Sequence, residues 1–240
     1  MAGTEDPRSM VKILNPKSRS LPLHKLEKVY HTLRRALGHQ HWWPGESPFE
    51  IMVGAILTQN TTWTNVEKAI RNLKQVGKLS PQALRSLSNK ELAELIRPSG
   101  YFNVKALRLK SYVDFLYREY SGNLRKMSRE AGPILREKLL AVKGIGSETA
   151  DSILLYAFGK PFFVIDAYTR RIFSRHRLSG KKTQSLLSLT YAQWQNLLTR
   201  AIPRKTSIYN DFHAQIVAIG KNFCKASFAK CQSCPLSIYL

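Results

Sequence analysis

The spacing of the apolar residues is the feature of this sequence that most restricts its fold. Apolar side chains recur mostly every three or four positions, which is the repeat of one helix face, and alternating strand-like runs are rare. Proline, serine and glycine separate the periodic segments. Short loops between about ten helices are typical of an all-α protein. We predict helices at 21–37, 48–58, 62–75, 81–87, 89–96, 103–120, 131–141, 147–158, 167–176, 191–201 and 207–223; a strand competes only at 160–166.

We expect these helices to form two lobes, with a cleft between them as the natural place for a site. The central lobe would be 48–127, and the terminal lobe would combine 21–47 with 128–223. Residues 1–20 contain proline, serine and charge but no apolar core of a secretory signal, so we expect a flexible lead-in there. Residues 224–240 would form a cysteine-containing C-terminal loop.

Net charge narrows the choice of partner. The 240 residues include 38 Lys and Arg against 16 Asp and Glu, a formal charge of +22. Such an excess favours a polyanion, most simply nucleic acid, over an acidic membrane surface. The basic residues are spread along the chain, which favours a folded body with a positive face over a disordered arm. The three cysteines all lie at position 224 or beyond, so a disulfide framework is not expected and we predict a cytoplasmic protein.

A glycine turn lies between two segments of helical period. Gly144, Ile145 and Gly146 permit a tight interhelical turn whose backbone N–H groups point outward. Followed by a helix N-terminus, such a turn suits a phosphate oxygen, and Lys143 adds a positive charge beside it. A Gly-x-Gly between helices is often only a tight turn, but the apolar residues and the lysine around this one favour a phosphate site.

Three segments carry a resemblance to a known family. LLAVKGIGSETADSILLYAFGKPFFVIDAYTRRIF (139–173) resembles the helix-hairpin-helix and Gly/Pro-Asp signature of the endonuclease III superfamily of DNA glycosylases. GAILTQNTTWTNVEKAI (54–70) and SGYFNVKALRLKSY (99–112) resemble two other parts of that fold, so the likeness covers about residues 25–235. HWWP (41–44) together with ILTQNT (56–61) is most similar to the bacterial 3-methyladenine DNA glycosylase III branch.

The resemblance implies a function in base excision repair. It implies a monomer in a bacterial or archaeal nucleoid, acting on double-stranded DNA that contains damaged bases. Excision breaks an N-glycosidic bond through an oxocarbenium-like sugar, which a fixed carboxylate stabilises. In the family that carboxylate follows the apolar segment, which assigns the role to Asp166. Asp166 could equally be the N-cap of the next helix, and the two roles are compatible.

Glu148 departs from the bifunctional members of the family. They carry a lysine at this position, which attacks the sugar and permits strand cleavage through a Schiff base. A carboxylate cannot form that imine, so the resemblance implies a monofunctional enzyme unless Lys143 or another amine substitutes. Glu148 could help to position water or substrate, or it could only be a favourable acid in the first turn of a helix.

Other family positions map onto residues around the base. Gln59 matches the residue that fills the gap left by a flipped nucleotide, and Tyr101 matches the wedge at the opposite strand, although both could be ordinary loop packing. Aromatic residues of the family sandwich an alkylated, cationic purine, by stacking and cation–π attraction. Outside the family these aromatics would most simply be core. Gln215 lies where the nearest relatives place a lysine, so deaminated purines such as hypoxanthine stay open. The pocket residues implied are Trp42, Trp43, Pro44, Trp63 and Gln215.

The cysteine spacing resembles the family's iron–sulfur loop. Cys224, Cys231 and Cys234 match the first three ligands of a [4Fe–4S] cluster, but the fourth position is Leu240. A structural cluster, a vestigial loop and a zinc site stay open, and none is needed for the chemistry.

The leading hypothesis is a monofunctional glycosylase for alkylated or deaminated purines. The alternatives are a bifunctional glycosylase and lyase of endonuclease III type, and a non-catalytic helix-hairpin-helix DNA-binding protein.

Overall fold

The computed structural model describes residues 21–239, and that range is built of thirteen α-helices without a β-strand. The all-α prediction is confirmed. The expected lead-in at 1–20 and Leu240 lie outside the described residues. In chain order the helices are α1 Leu26–Leu37, α2 Pro48–Leu57, α3 Trp63–Gln75, α4 Pro81–Ser86, α5 Asn89–Leu95, α6 Phe102–Tyr120, α7 Leu124–Arg129, α8 Gly132–Leu140, α9 Ser147–Ser152, α10 Ala167–Arg175, α11 Thr183–Leu187, α12 Tyr191–Thr199 and α13 Thr206–Asn222.

Local capping begins several of these helices. The hydroxyls of Ser47 and Ser80 accept hydrogen bonds from backbone N–H groups in the first turns of α2 and α4, and a proline follows each serine. Ser88 and Glu91 form a reciprocal capping box at α5. Each of these helix starts is therefore stabilised by a capping side chain that accepts a hydrogen bond from the backbone N–H three residues further along the chain.

Three details differ from the sequence prediction. Helices α7 and α11 were not predicted, because six and five residues are too few to show a helical period and neither helix begins with the serine–proline pair that marks the equally short α4. Segment 160–166 forms no strand; Gln195 Nε2 donates to the carbonyl of Phe163, and the N–H of Ile165 donates to Tyr191 Oη, so side chains take the place of a partner strand. The helix that starts with α9 widens into a π-helical segment, Ile153–Ala157.

The chain forms two compact units. The central unit is Trp43–Phe162, and the terminal unit combines residues 21–42 with residues 163–239. This division differs from the predicted boundaries, because α8 and α9 lie in the central unit. Leu139, Val142 and Ile145 are buried in the core of that unit, which explains why the glycine turn belongs to it. Among the described helices, none is long and apolar enough to cross a bilayer.

Candidate functional site

The glycine turn between α8 and α9 is exposed to solvent, and its middle residue is anchored in the core. Ile145 is buried in the core, while Lys143, Gly144 and Gly146 are exposed. Gly144 has φ +90°, and a Cβ there would overlap the side chain of Arg108. Gly146 is the N-cap residue of α9. The turn therefore offers a lysine and the backbone of a helix N-terminus to solvent, which suits an anion.

Gln59 is attached to this turn. Its Nε2 donates to the carbonyl oxygen of Gly144 at 3.1 Å and to Thr149 Oγ1 at 2.9 Å, and its Oε1 accepts a hydrogen bond from Arg108. The structure thus brings the predicted gap-filling residue and the predicted backbone-binding turn together. Tyr101, the predicted wedge, is 52% exposed and starts α6 in the left-handed conformation, with φ +48°.

Glu148 is exposed in the first turn of α9, where an acid favours the helix N-terminus. A second acid on the same helix is structural. Asp151 is fully buried, and its two oxygens accept from Arg136 Nε and Nη2 at 2.6 and 3.2 Å. This pair is not predictable from the sequence, because nothing in the local pattern distinguishes a paired acid from a free one.

Aromatic side chains cluster in the central unit. The ring of Trp43 lies edge-on to Trp63 at 5.1 Å and tilted against Tyr156 at 5.2 Å. Gly54 on α2 permits the approach, since a Cβ there would lie 3.2 Å from Trp43 Nε1. Trp63 Nε1 donates to Glu67 Oε1 at 2.6 Å. Two predicted pocket residues therefore lie together, and Tyr156 joins them from the π-helical segment.

The remaining predicted pocket residues are distributed over both units. Pro44 is an exposed residue of the central unit. In the terminal unit Trp42 is half-buried, and Lys221 Nζ lies 5.4 Å from its ring centroid. Gln215 is fully buried, and its Nε2 donates to the carbonyl oxygen of Gly38 at 2.6 Å. Gln215 therefore anchors the turn that precedes Trp42.

Asp166 is the N-cap residue of α10. Its Oδ1 accepts from the backbone N–H of Thr169 at 2.7 Å and from Thr169 Oγ1 at 2.8 Å, and the residue is 9% exposed. Its Oδ2 lies 3.4 Å from Nε2 of His213 on α13. Burial acts to raise the pKa of this carboxyl, but His213 and the two bonds from Thr169 outweigh it, so the pKa is lowered. The structure therefore holds a buried, ionised carboxylate at the start of a helix.

The cysteines do not assemble a metal site within residues 21–239. No group of three or more Cys, His, Asp or Glu side chains in that range is placed to hold a metal ion. Instead, Arg175 Nη1 donates to Cys224 Sγ at 3.2 Å, and its Nη1 and Nη2 donate to the carbonyls of Lys225 and Ala226 at 2.7 and 2.8 Å. Burial raises the pKa of the Cys234 thiol to about 11. The chain therefore supplies three of the four usual cluster ligands, since the fourth position is Leu240.

A helical hairpin with a glycine turn, followed along the chain by a carboxylate that caps the next helix, defines the helix-hairpin-helix class of DNA-repair proteins. The family model described as "HhH-GPD superfamily base excision DNA repair protein" matches residues 53–195. The match includes the hairpin, Asp166 and more than half of the chain, and the chain belongs to the HhH-GPD superfamily.

Known proteins of this type extend over nearly the whole chain. The MJ1434 protein of Methanocaldococcus jannaschii, whose name assigns it to the DNA repair glycosylases, is 43% identical over 211 residues, 87% of this chain and 92% of that protein. The structure of Helicobacter pylori 3-methyladenine DNA glycosylase bound to 1,N6-ethenoadenine is 27% identical with a TM-score of 0.68, covering 84% of this chain and 98% of that one. A trapped endonuclease III–DNA covalent intermediate, 23% identical, shares the fold with a TM-score of 0.75 over 90% and 94% of the two chains.

The chain is a DNA glycosylase of base excision repair with an endonuclease III-like fold, as predicted. The likeness to the Helicobacter pylori enzyme supports the predicted 3-methyladenine glycosylase branch.

Proposed function

We propose that this chain is a monofunctional glycosylase that hydrolyses the N-glycosidic bond of an alkylated or deaminated purine in double-stranded DNA. The observation that carries the proposal is the buried Asp166 carboxylate, with one oxygen fixed by Thr169 and with a lowered pKa. An ionised carboxylate in a site of low dielectric stabilises an oxocarbenium-like sugar far better than it would in water. It also orients the attacking water.

The leaving group needs little help from the protein. An N3- or N7-alkylated purine is cationic and departs as a neutral base, so no general acid is required for it. A deaminated purine such as hypoxanthine is neutral and departs less readily. With Asp166 as the catalytic carboxylate, the order of rates across lesions should therefore follow leaving-group quality, with alkylated purines ahead.

Excision without strand cleavage follows from the amines around the hairpin. Glu148 replaces the lysine of the bifunctional enzymes, and a carboxylate cannot form an imine with the sugar. Lys105 has a pKa lowered by burial to about 8, but its Nζ is buried and donates to the backbone carbonyls of Leu57 and Ser99. Lys143 is on the exposed turn that we assign to phosphate. We assign Glu148 a supporting role in placing water at the sugar.

Contacts with the DNA backbone and base stack are assigned to the central unit. Lys143, Gly144 and Gly146 would bind phosphate through backbone N–H groups and the lysine charge. Ile145, whose own N–H donates to the carbonyl of Val142 and whose side chain is buried, would hold the turn in place. Gln59 would fill the gap left by the flipped nucleotide, and the exposed Tyr101 would enter the opposite strand. The formal charge of +22 supports a polyanionic partner of this kind.

Base recognition is assigned to aromatic faces. Trp43 and Trp63, both in the central unit, supply rings that attract a cationic purine by stacking and cation–π interaction. Within the terminal unit, Trp42 is the aromatic residue that we assign to base recognition. Pro44 would add an apolar edge, and Gln215 would act by fixing the turn before Trp42. The proposed chemistry needs no metal or cluster.

The proposal is tested with the full-length chain and duplexes that carry 3-methyladenine, 7-methylguanine, hypoxanthine, uracil or an oxidised pyrimidine. We expect release of purine lesions under single-turnover conditions, intact backbones after neutral work-up, and no covalent adduct with borohydride. A borohydride-trapped adduct would identify a bifunctional enzyme instead.

Asp166→Asn is the matched variant for the mechanism. Asparagine is as good an N-cap as aspartate, so the fold and DNA affinity should be nearly unchanged while excision is lost. Release by this variant at the wild-type rate would contradict the role of the carboxylate. If the wild-type protein binds these duplexes but releases no base from any of them, a non-catalytic DNA-binding protein would be favoured.

A further inference from the structure

A buried histidine lies beside the Asp166 carboxylate. His213 is on α13, is 4% exposed, and places Nε2 3.4 Å from Asp166 Oδ2. This is within ion-pair range but longer than an ordinary N–H···O hydrogen bond. The imidazole packs edge-on against Phe163 at 6.4 Å between ring centroids, so its orientation is set by the core of the terminal unit.

The two carboxylate oxygens of Asp166 have different neighbours. Oδ1 is engaged by both donors of Thr169, which belong to the same helix turn and serve the cap. Oδ2 faces His213, which comes from a different helix. A cap alone needs one oxygen, so the second contact is not explained by the start of α10.

The other charged groups near the pair have their own partners. On α13, Asp211 accepts from Tyr30 Oη at 3.1 Å and from Arg34 Nη1 at 2.6 Å, both on α1. On α10, the Arg171 guanidinium lies 5.0 Å from the ring centroid of Tyr168, and its Nε donates to the carbonyl of Cys224. Burial raises the pKa of Tyr168, with Asp166 adding to the effect, so this phenol is neutral beside the carboxylate.

We infer that His213 is a positioning residue for the glycosylase reaction: its imidazole fixes Asp166 Oδ2 and keeps the carboxylate ionised in a buried site. The inference rests on the proposed role of Asp166. Without the imidazole, desolvation of the carboxyl is opposed only by Thr169, and protonated Asp166 cannot stabilise a cationic sugar. The pH at which the excision rate falls on the acid side should therefore depend on His213.

The test compares His213→Leu and His213→Gln with wild type by two readouts. Carbon-13 NMR of aspartate-labelled full-length protein, with the Asp166→Asn spectrum for assignment, gives the titration midpoint of Asp166 without any substrate. Single-turnover excision from pH 3 to 8, on the duplex in the panel above from which wild type releases base fastest, gives the fall in rate at low pH. We expect His213→Leu to raise both midpoints by about one pH unit or more. The rise should be smaller in His213→Gln, because the glutamine amide can still donate a hydrogen bond to Oδ2.

His176→Leu is the control for loss of a buried imidazole. His176 follows α10 at its other end, about 15 Å from Asp166 at 1.5 Å per residue. The His176→Leu substitution should lower the stability of the protein and leave both the Asp166 titration midpoint and the midpoint of the excision rate unchanged. An unchanged Asp166 midpoint in His213→Leu overturns the inference, as does an equal fall in rate at every pH. If wild type releases no base, the proposed function fails while the NMR midpoint still decides the role of His213.

Discussion

Replacing Gly144 with alanine should disable the hairpin turn, and the structure sets the size of the effect. Gly144 has φ +90°, where a residue with a Cβ costs about 1–2 kcal/mol. The new Cβ would also overlap Cγ of Arg108 and lie 2.8 Å from its Cδ, so Arg108 must move and release Gln59. A hydrogen bond from a charged donor contributes about 1.5–3 kcal/mol, while the restricted unfolded chain returns about 0.4–1 kcal/mol. The net loss is about 2–4 kcal/mol.

Gly146→Ala is the matched control. Its φ is −94°, and a Cβ there meets no atom within 4 Å. Loss of a glycine N-cap and the gain from a stiffer unfolded chain nearly cancel, so we expect a change within about 1 kcal/mol. Urea denaturation of both variants measures the difference, and fluorescence anisotropy with an undamaged duplex measures DNA affinity. Equal stability of the two variants would refute this account of the turn, as would wild-type affinity in Gly144→Ala.

Three further outcomes are expected. Arg175→Met should cost about 2–4 kcal/mol in urea denaturation and speed proteolysis after Cys224, because two backbone carbonyls lose their donors; an unchanged midpoint would show that the loop is held otherwise. Lys105→Met should destabilise the protein by a similar amount. The pKa of Lys105 is about 8 in the folded protein and 10.5 in the unfolded chain, so between these values the unfolded chain binds more protons and the stability advantage of wild type over the variant should grow from pH 8 to pH 10. A stability difference that stays constant with pH would contradict the lowered pKa. Lys143→Ala should reduce the log–log salt slope of DNA binding by about 0.9, and an unaltered slope would exclude a phosphate contact there.

The parts of the site that were predictable are those with a local cause. Gly144 is recognisable because a tight turn between helices demands a positive φ that side chains disfavour. Asp166 precedes a helix and accepts a hydrogen bond from the residue three positions further on, so a short local segment is enough to predict where its side chain lies. The order of helices followed from their period in the same way.

The parts that were not predictable join distant segments. His213 reaches Asp166, Gln59 reaches the hairpin and Arg175 reaches the C-terminal loop only because helices pack in a particular register. In the sequence, His213 and Arg175 are ordinary polar residues of predicted helices. The family resemblance singles out Gln59 but does not reveal its hydrogen bond to Gly144. The unit that contains the hairpin was also beyond local reasoning, since it depends on which core receives Leu139 and Ile145.

The π-helical segment Ile153–Ala157 sets the phase between the two ends of the hairpin's second helix. Before it lie Glu148 and the Asp151–Arg136 pair, and within it Tyr156 meets Trp43. A π-turn contains one residue more than an α-turn, and each residue of a regular helix advances about 100° around the axis. Removing one residue here would therefore act as a rotation, turning Glu148 by about a quarter of the circumference relative to Tyr156. A one-residue deletion at this position would therefore change the direction of the side chain that we propose to place water at the sugar.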